Sequence, residues 1–322
     1  MSDRYRHIPV LLHEVLDALD PRPGEVYADC TTGLGGHALE IARRIGPSGC
    51  LMLNDWDMGN LRRAEERVRA SLGADSPEIQ TFCANFAGFS KRIASSGRMA
   101  DMVLADLGFA SNQMEDPQRG LSFSREGPLD MRLASQESAP TNTPGSSEHV
   151  PHSAADLVSS LPVSELERIL REFGEERRAG AIARKIDEER RTHPISTTSD
   201  LASIVRSAVG RSDSAGIDPA TKTFQALRIA VNDELGNLDA LLHSVEAAML
   251  GTSRSPWLAP GARVGVISFH SLEDRPVKRM FSSLRDRGLA DDLLSGHVGP
   301  SVAEVEANPR SRSAKLRAVR RR

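Results

Sequence analysis

The chain has few cysteines and no arrangement of them that builds a site. Cys30, Cys50 and Cys83 are the three present, an odd number with no Cys-x-x-Cys pair. That excludes a disulfide framework and a cysteine zinc centre; buried free thiols are the expectation. No apolar run approaches the roughly 20 residues a bilayer-spanning helix needs. The opening residues carry Asp3, Glu14 and Asp17 without the charged-then-apolar order of a signal peptide, so a cytoplasmic location is expected. His-Glu-x-x-His and Gly-x-Ser-x-Gly do not occur, which removes support for a zinc peptidase or a nucleophile-elbow hydrolase. The nine histidines show no metal-ligand spacing, and no metal is predicted. A net charge of −3 does not advertise a nucleic-acid binder.

What is present is an ordinary globular composition, 39% hydrophobic and 26% charged over 322 residues. That suits a core domain with one insertion. Val10–Leu19 reads as a helix ended by Pro21-Arg22-Pro23-Gly24. Strands are expected at 25–30, 50–54, 78–84 and 102–105, with helices between them. This alternation predicts an α/β fold with a mainly parallel sheet and helices on both faces. The rhythm then breaks. Residues 135–153, rich in Ser, Thr, Pro and Gly, read as a flexible surface loop. Helical stripes follow at Leu166, Ile169, Leu170 and Phe173, at Ile182 and Ile186, and at Leu201, Ile204 and Val205. Asp218-Pro219 starts a helix carrying Phe224, Leu227 and Val231. Strand character returns at Arg263–Phe269 after a turn at Ala259-Pro260-Gly261, and a last strand is expected near Lys315–Val319. The expected organisation is a core over 1–118, an inserted helical domain over 119–219, and the rest of the core with a basic terminal segment over 220–322.

Two charged stretches stand out. Arg168–Arg191 interleaves basic residues with Glu165, Glu167, Glu172, Glu188 and Glu189 and reads as solvated helix with i,i+4 pairs. Arg310–Arg322 holds seven basic residues and no acid; an RNA-facing segment and a solvated tail are both consistent with it.

Gly33-Leu34-Gly35-Gly36 sits where the first strand turns into the first helix. Glycines there let a backbone approach a ligand, and the helix start offers free N–H groups. The spacing is not Gly-x-Gly-x-x-Gly. Asp55 closes the second strand, where a carboxylate can accept both hydroxyls of a ribose. A nicotinamide cofactor and S-adenosylmethionine both remain open here, although acids such as Asp29 and Asp106 suit a sulfonium cation. Asp106 ends the fourth strand, at the edge where open parallel sheets bind ligands, and Ser111–Gln113 follows. An acceptor at that place could take the proton of an amine nucleophile. It could equally cap the next helix.

Taken in order, His7-Ile8-Pro9-Val10-Leu11-Leu12, Gly33–His37, Asp106-Leu107-Gly108, Arg119–Phe123, Gly127–Arg132, Phe173–Arg177, Thr223–Ile229, Ile267–Arg275 and Asn308–Ser313 resemble the bacterial and organellar rRNA cytosine-N4 methyltransferases over nearly the whole chain. The resemblance implies a class I methyltransferase core, Rossmann-like, with an all-helical substrate-recognition domain inserted after the fourth strand. It implies methylation of a cytidine N4 amine in the decoding region of small-subunit rRNA, on the RNA or the assembled subunit. S-adenosylmethionine is the implied cofactor, held by Gly35, Gly36, His37, Asp55, Phe86, Asp106 and Gln113. From Phe86 alone, a plain core ring and a cover for adenine are alternatives. Asp106, Ser111 and His270 are the candidate catalytic residues. The sequence departs from the family pattern at Cys30, where glycine is usual, and at Ala110 and Asn112, where a serine and a proline are usual. Cys30 is expected to add a side chain near the cofactor.

His270-Ser271-Leu272-Glu273 after the returning strand also reads as a helix cap, and Asp130 with Arg132 as a surface pair. The alternatives to the family activity are an assembly factor with weak or no catalysis and an amine methyltransferase on another substrate. Oligomeric state is open, a homodimer included.

Overall fold

A computed structural model describes residues 9–134, 152–210 and 218–322. The chain groups into two compact units, one made of the residues up to Gly108 with Leu235–Arg322, the other of Phe109–Glu234. No helix among the described residues is long and apolar enough to cross a membrane.

The first unit is built on β1 (Val26–Asp29), β2 (Cys50–Asp55), β3 (Glu78–Cys83), β4 (Ala100–Asp106), β5 (Leu258–Ser268), β6 (Ala290–Asp292) and β7 (Lys315–Arg321), in the order β3-β2-β1-β4-β5-β7-β6. β1 to β5 are parallel, and β7 runs antiparallel to β5 and β6. Alternate residues divide between two cores, as a period of two requires. Ala28, Met52, Val103 and Ala105 join one core with Phe89, Leu241, Val245, Val277 and Phe281. Tyr27, Leu51, Leu53, Met102 and Leu104 join the other with Leu16, Ile41, Ile45 and Leu61. A sheet covered on both faces therefore reads as continuous apolar runs such as Cys50–Leu53. Each fully buried Leu or Met contributes roughly 1.5–3 kcal/mol. The expected class, a mainly parallel sheet sandwiched by helices, is the one found.

Two expectations change. The turn at Ala259-Pro260-Gly261 lies inside β5, where the ladder to β4 shifts between Ala100 and Met102. Proline has no N–H for a ladder, and Gly261 takes φ 74°, so the segment bulges out without ending the strand. The basic terminal run is not a free tail, because β7 places Leu316, Ala318 and Val319 in the sheet. Acids from elsewhere offset it: Arg317 donates to Asp274 at 2.7 and 3.1 Å, and Arg320 and Arg322 pair with Asp291. Cys30 is 1% exposed and packs in the core with Ala28 and Met52, where burial holds its thiol well above the usual range.

The second unit is helical, with Ala154–Ser160, Val163–Gly174, Ala179–Arg190, Thr198–Val209 and Ala220–Asn232 closing on one core. That core holds Leu166, Ile169, Leu170, Ile182, Ile186, Leu201, Val205, Phe224 and Leu227, the buried residues of the stripes read from the sequence. Ser153 with Asp156 and Thr197 with Asp200 form reciprocal caps. The helix Ala220–Asn232 packs here rather than with the sheet, because Phe224, Ala226 and Leu227 face this core. The unit therefore runs from Phe109 to Glu234, beyond the 119–219 span drawn from the sequence. Arg168 pairs with Glu165 and Glu172, and Lys185 with Glu188 and Glu189, the solvated pairs expected of that stretch. Arg132 binds Asp130 through two nitrogens. The loop expected at 135–153 falls, up to residue 151, outside the described residues.

Candidate functional site

The parallel strands β1 to β5 all end at one edge of the sheet, and that edge collects the acids. β1 delivers Asp29, β2 Asp55 and β4 Asp106. Gly33 N–H donates to Asp55 Oδ2 at 2.7 Å, and Asp57 N–H to its Oδ1 at 2.8 Å. The carboxylate thus fixes the glycine loop against β2. Two of its glycines have no room for a side chain. A Cβ on Gly35, whose φ is 73°, would lie 2.7 Å from the Ala64 Cβ, and one on Gly36 would lie 2.4 Å from the Pro9 Cγ. The helix Gly36–Ile45 begins there. His37 is buried, its Nε2 2.9 Å from the Val10 carbonyl and its Nδ1 3.9 Å from Asp106 Oδ2.

The acids are poorly compensated. Asp29 is 2% exposed and accepts from the Thr31 N–H and the Tyr27 hydroxyl. Burial pushes its carboxyl up to about 7, with the nearby Asp55 charge adding to the rise. Asp55 is raised to about 6, again by burial first. Asp106 rises well above the carboxylate range through burial, then through the charges of Asp29 and Glu273. Its Oδ1 is buried without a hydrogen-bond partner. No lysine or arginine pairs with these three acids among the described residues. A site of this kind favours a cation over a phosphate, which fits the sulfonium of S-adenosylmethionine better than a dinucleotide.

Three further residues organise the edge. Thr31 Oγ1 accepts the Asp106 N–H at 2.7 Å, tying the β1 loop to the end of β4. Asn54 Nδ2 donates to the carbonyls of Cys30 and Ala84, binding the ends of β1 and β3 to β2. Tyr27 holds Asp29 from below. None was singled out from the sequence; each is a common core or turn residue until the strands are aligned. Phe86 follows β3 in the short turn Phe86–Gly88, half-buried against the first core. The turn is fixed by Asn85, which accepts from Ala87 N–H and donates to Asn237.

Ser111 and Gln113 belong to the helical unit. Ser111 opens the helix Ser111–Glu115. Gln113 is 4% exposed; its Oε1 accepts from Ala110 N–H and its Nε2 donates to the Leu133 carbonyl. Along the chain they follow Asp106 by five and seven residues. His270 stands at the end of β5, ahead of the helix Ser271–Asp286. Its Nε2 is 3.2 Å from Glu273 Oε1, and Glu273 Oε2 accepts from Phe269 N–H at 2.8 Å. The cap read from the sequence is present, made by Glu273.

The sequence matches the MraW methylase family over residues 4–322. It is 43% identical over 328 residues to the ribosomal RNA small subunit methyltransferase H of Koribacter versatilis, covering 99% of this chain and 95% of that one. It is 41% identical over 331 residues to the protein of the same name from Symbiobacterium thermophilum, covering 98% and 96%. An acid-lined strand edge, a glycine loop without room for a Cβ and an end-to-end sequence match agree: the chain belongs to the MraW methylase family.

Proposed function

We propose that this chain transfers a methyl group from S-adenosylmethionine to the N4 amine of a cytidine in the decoding region of small-subunit ribosomal RNA. The observation that carries the reading is the cluster of Asp29, Asp55 and Asp106 at the strand ends, the first buried and the other two half-buried, with no lysine or arginine paired to them among the described residues. The family and the names of its relatives support the reaction class and the RNA.

S-adenosylmethionine supplies an electrophilic methyl group and a positive charge. Gly35, Gly36 and His37 would hold it at the helix start. Asp55 would take its ribose hydroxyls, and Phe86 would cover the base. Gln113 is assigned to the same site on the resemblance. The amine is a poor nucleophile because its lone pair is delocalised into the cytosine ring. Asp106 accepts an N–H of that amine, localises the lone pair and takes the proton as the new N–C bond forms. Its raised proton affinity suits a base, and a cation beside it favours the ionised form. His270, and Ser111 from the helical unit, are assigned to framing the target base, and the helical unit to RNA recognition. The target nucleotide leaves its stack to present the amine. A ribosomal substrate would put the protein in the cytoplasm.

Labelled S-adenosylmethionine incubated with unmodified small subunits tests this. Nucleoside analysis of the digested RNA is expected to place the label in N4-methylcytidine. Label in another nucleoside overturns the target. Cofactor binding without transfer favours the assembly-factor reading, which the loss of the hydroxyl at Ala110 supports.

A further inference from the structure

The acidic edge is half of the story at the strand ends. A pocket of about 470 Å³ lies where β5 stops and β7 starts. Its walls include Phe269, His270, Ser271, His297, Arg312 and Lys315, and no acid lines it. The antiparallel register sets Ser268 opposite Lys315, which brings residues 47 apart in sequence to one place. The volume is that of a small-ligand site.

The charge around the pocket is positive after local pairing. Two acids stand at its edge: Glu273 Oε1 lies 3.2 Å from His270 Nε2, and Arg317 already takes both oxygens of Asp274, at 2.7 and 3.1 Å. Lys315 Nζ stands 3.6 Å from the same carboxylate and so brings a second cation to one acid. Arg312 is exposed, and no acid lies within ion-pair distance of it among the described residues. It projects from the turn Pro309–Ser313, pinned by the fully buried Ser311, whose hydroxyl donates to the Asn308 carbonyl at 2.8 Å. A guanidinium on a fixed turn, with a lysine beside it, is the arrangement that binds phosphate oxygens. Phe269 offers an apolar wall for a sugar or base.

We infer that this pocket binds a phosphodiester of the RNA substrate, at a nucleotide neighbouring the one methylated. The inference rests on the proposed RNA substrate. β7 is two strands from β4 in the sheet, roughly 10 Å at the usual spacing, so a strand held here passes close to Asp106. The acids at β1, β2 and β4 repel a polyanion, and the pocket attracts one. The two together orient the strand.

The test measures binding rather than turnover. Full-length protein and its Arg312→Gln variant are titrated with a labelled single-stranded RNA of about twelve nucleotides, a length within the usual footprint of such sites. The variant is expected to bind about tenfold more weakly, and its salt slope to fall in magnitude by about 0.7, the value for one lost phosphate contact on a single strand. Lys315→Gln is expected to act in the same direction and less. An unchanged thermal midpoint shows that the variant folds. Equal affinity and equal salt slope in wild type and variant overturn the inference, as does a wild type that binds no RNA. Loss of inorganic phosphate binding in Arg312→Gln with RNA binding intact also overturns it, in favour of a free-anion site. If RNA binding depends on Arg312 while no methyl group reaches cytidine N4, the pocket stands and the proposed reaction falls.

Discussion

The two ends of one sheet edge carry opposite charge. At β1, β2 and β4 the strand ends carry carboxyls held above their ordinary range. At β5 and β7 the side chains are His270, His297, Arg312 and Lys315, around a pocket that no acid lines. Both ends use the same backbone geometry. What differs is the direction of the last strand: β7 runs antiparallel, so the start of the basic segment and not its end reaches this edge. The comparison teaches that net charge hides function here. A chain of net charge −3 can hold a cation and a polyanion side by side if burial and pairing separate them.

The division can be broken most severely at its acidic end. Asp106→Ala is expected to lower kcat for methyl transfer by about 10²–10⁴-fold, the range for losing a proton acceptor, with RNA affinity unchanged. Single-turnover transfer on small subunits checks it, and full activity in the variant removes Asp106 from the chemistry. At the basic end the residues divide into structural and binding ones. Arg317 is 7% exposed and holds Asp274 and the Gly296 carbonyl, so Arg317→Ala is expected to cost about 1.5–3 kcal/mol of stability by removing its charged hydrogen bonds, with Lys315 still 3.6 Å from Asp274. Urea unfolding reads this out; a loss under about 1 kcal/mol would show the pair to be solvated.

The acidic end also predicts a pH dependence. Asp29 titrates near 7 and Asp55 near 6 in the folded protein, above the value of about 4 in an unfolded chain. Between those values the folded state holds protons that the unfolded state has released. The contribution of these groups is therefore complete below about pH 4 and is lost as pH rises to 7. Replacing Asp29 with Asn is expected to flatten the fall in thermal midpoint between pH 5 and 7.5, and bound S-adenosylmethionine to flatten it in wild type. A steeper fall in the variant would contradict the assignment. The smallest effect is expected far from both ends: Arg168→Ala, which breaks exposed pairs with Glu165 and Glu172, should change stability by less than about 1 kcal/mol in the same unfolding assay.

The parallel strands were legible because their burial on both faces leaves apolar runs ended by single acids, and Asp55 and Asp106 sit at those ends. The helical unit was legible through the stripes at 166–173 and 182–186. Its borders were not, since a helix such as Ala220–Asn232 shows which face is apolar but not which core that face joins. The three-residue β6 is too short to have a pattern. Thr31, Asn54 and Tyr27 matter only once β1, β2 and β4 lie side by side. The pocket was invisible for the same reason, because Phe269–Ser271 and Arg312–Lys315 meet only through the direction of β7. Charge counted along the chain misled most: the basic run at 310–322 has no acid in sequence and two in space, Asp274 and Asp291.

The most direct test of the division is one set of titrations, in which Asp55→Ala and Arg312→Gln are each measured against S-adenosylmethionine and against single-stranded RNA. Asp55→Ala is expected to weaken the cofactor by about 10–100-fold, the cost of removing a charged hydrogen-bond acceptor, and to leave RNA affinity unchanged; Arg312→Gln is expected to do the reverse. A single variant that weakens both ligands equally, with folding intact, would contradict the separation of the two ends.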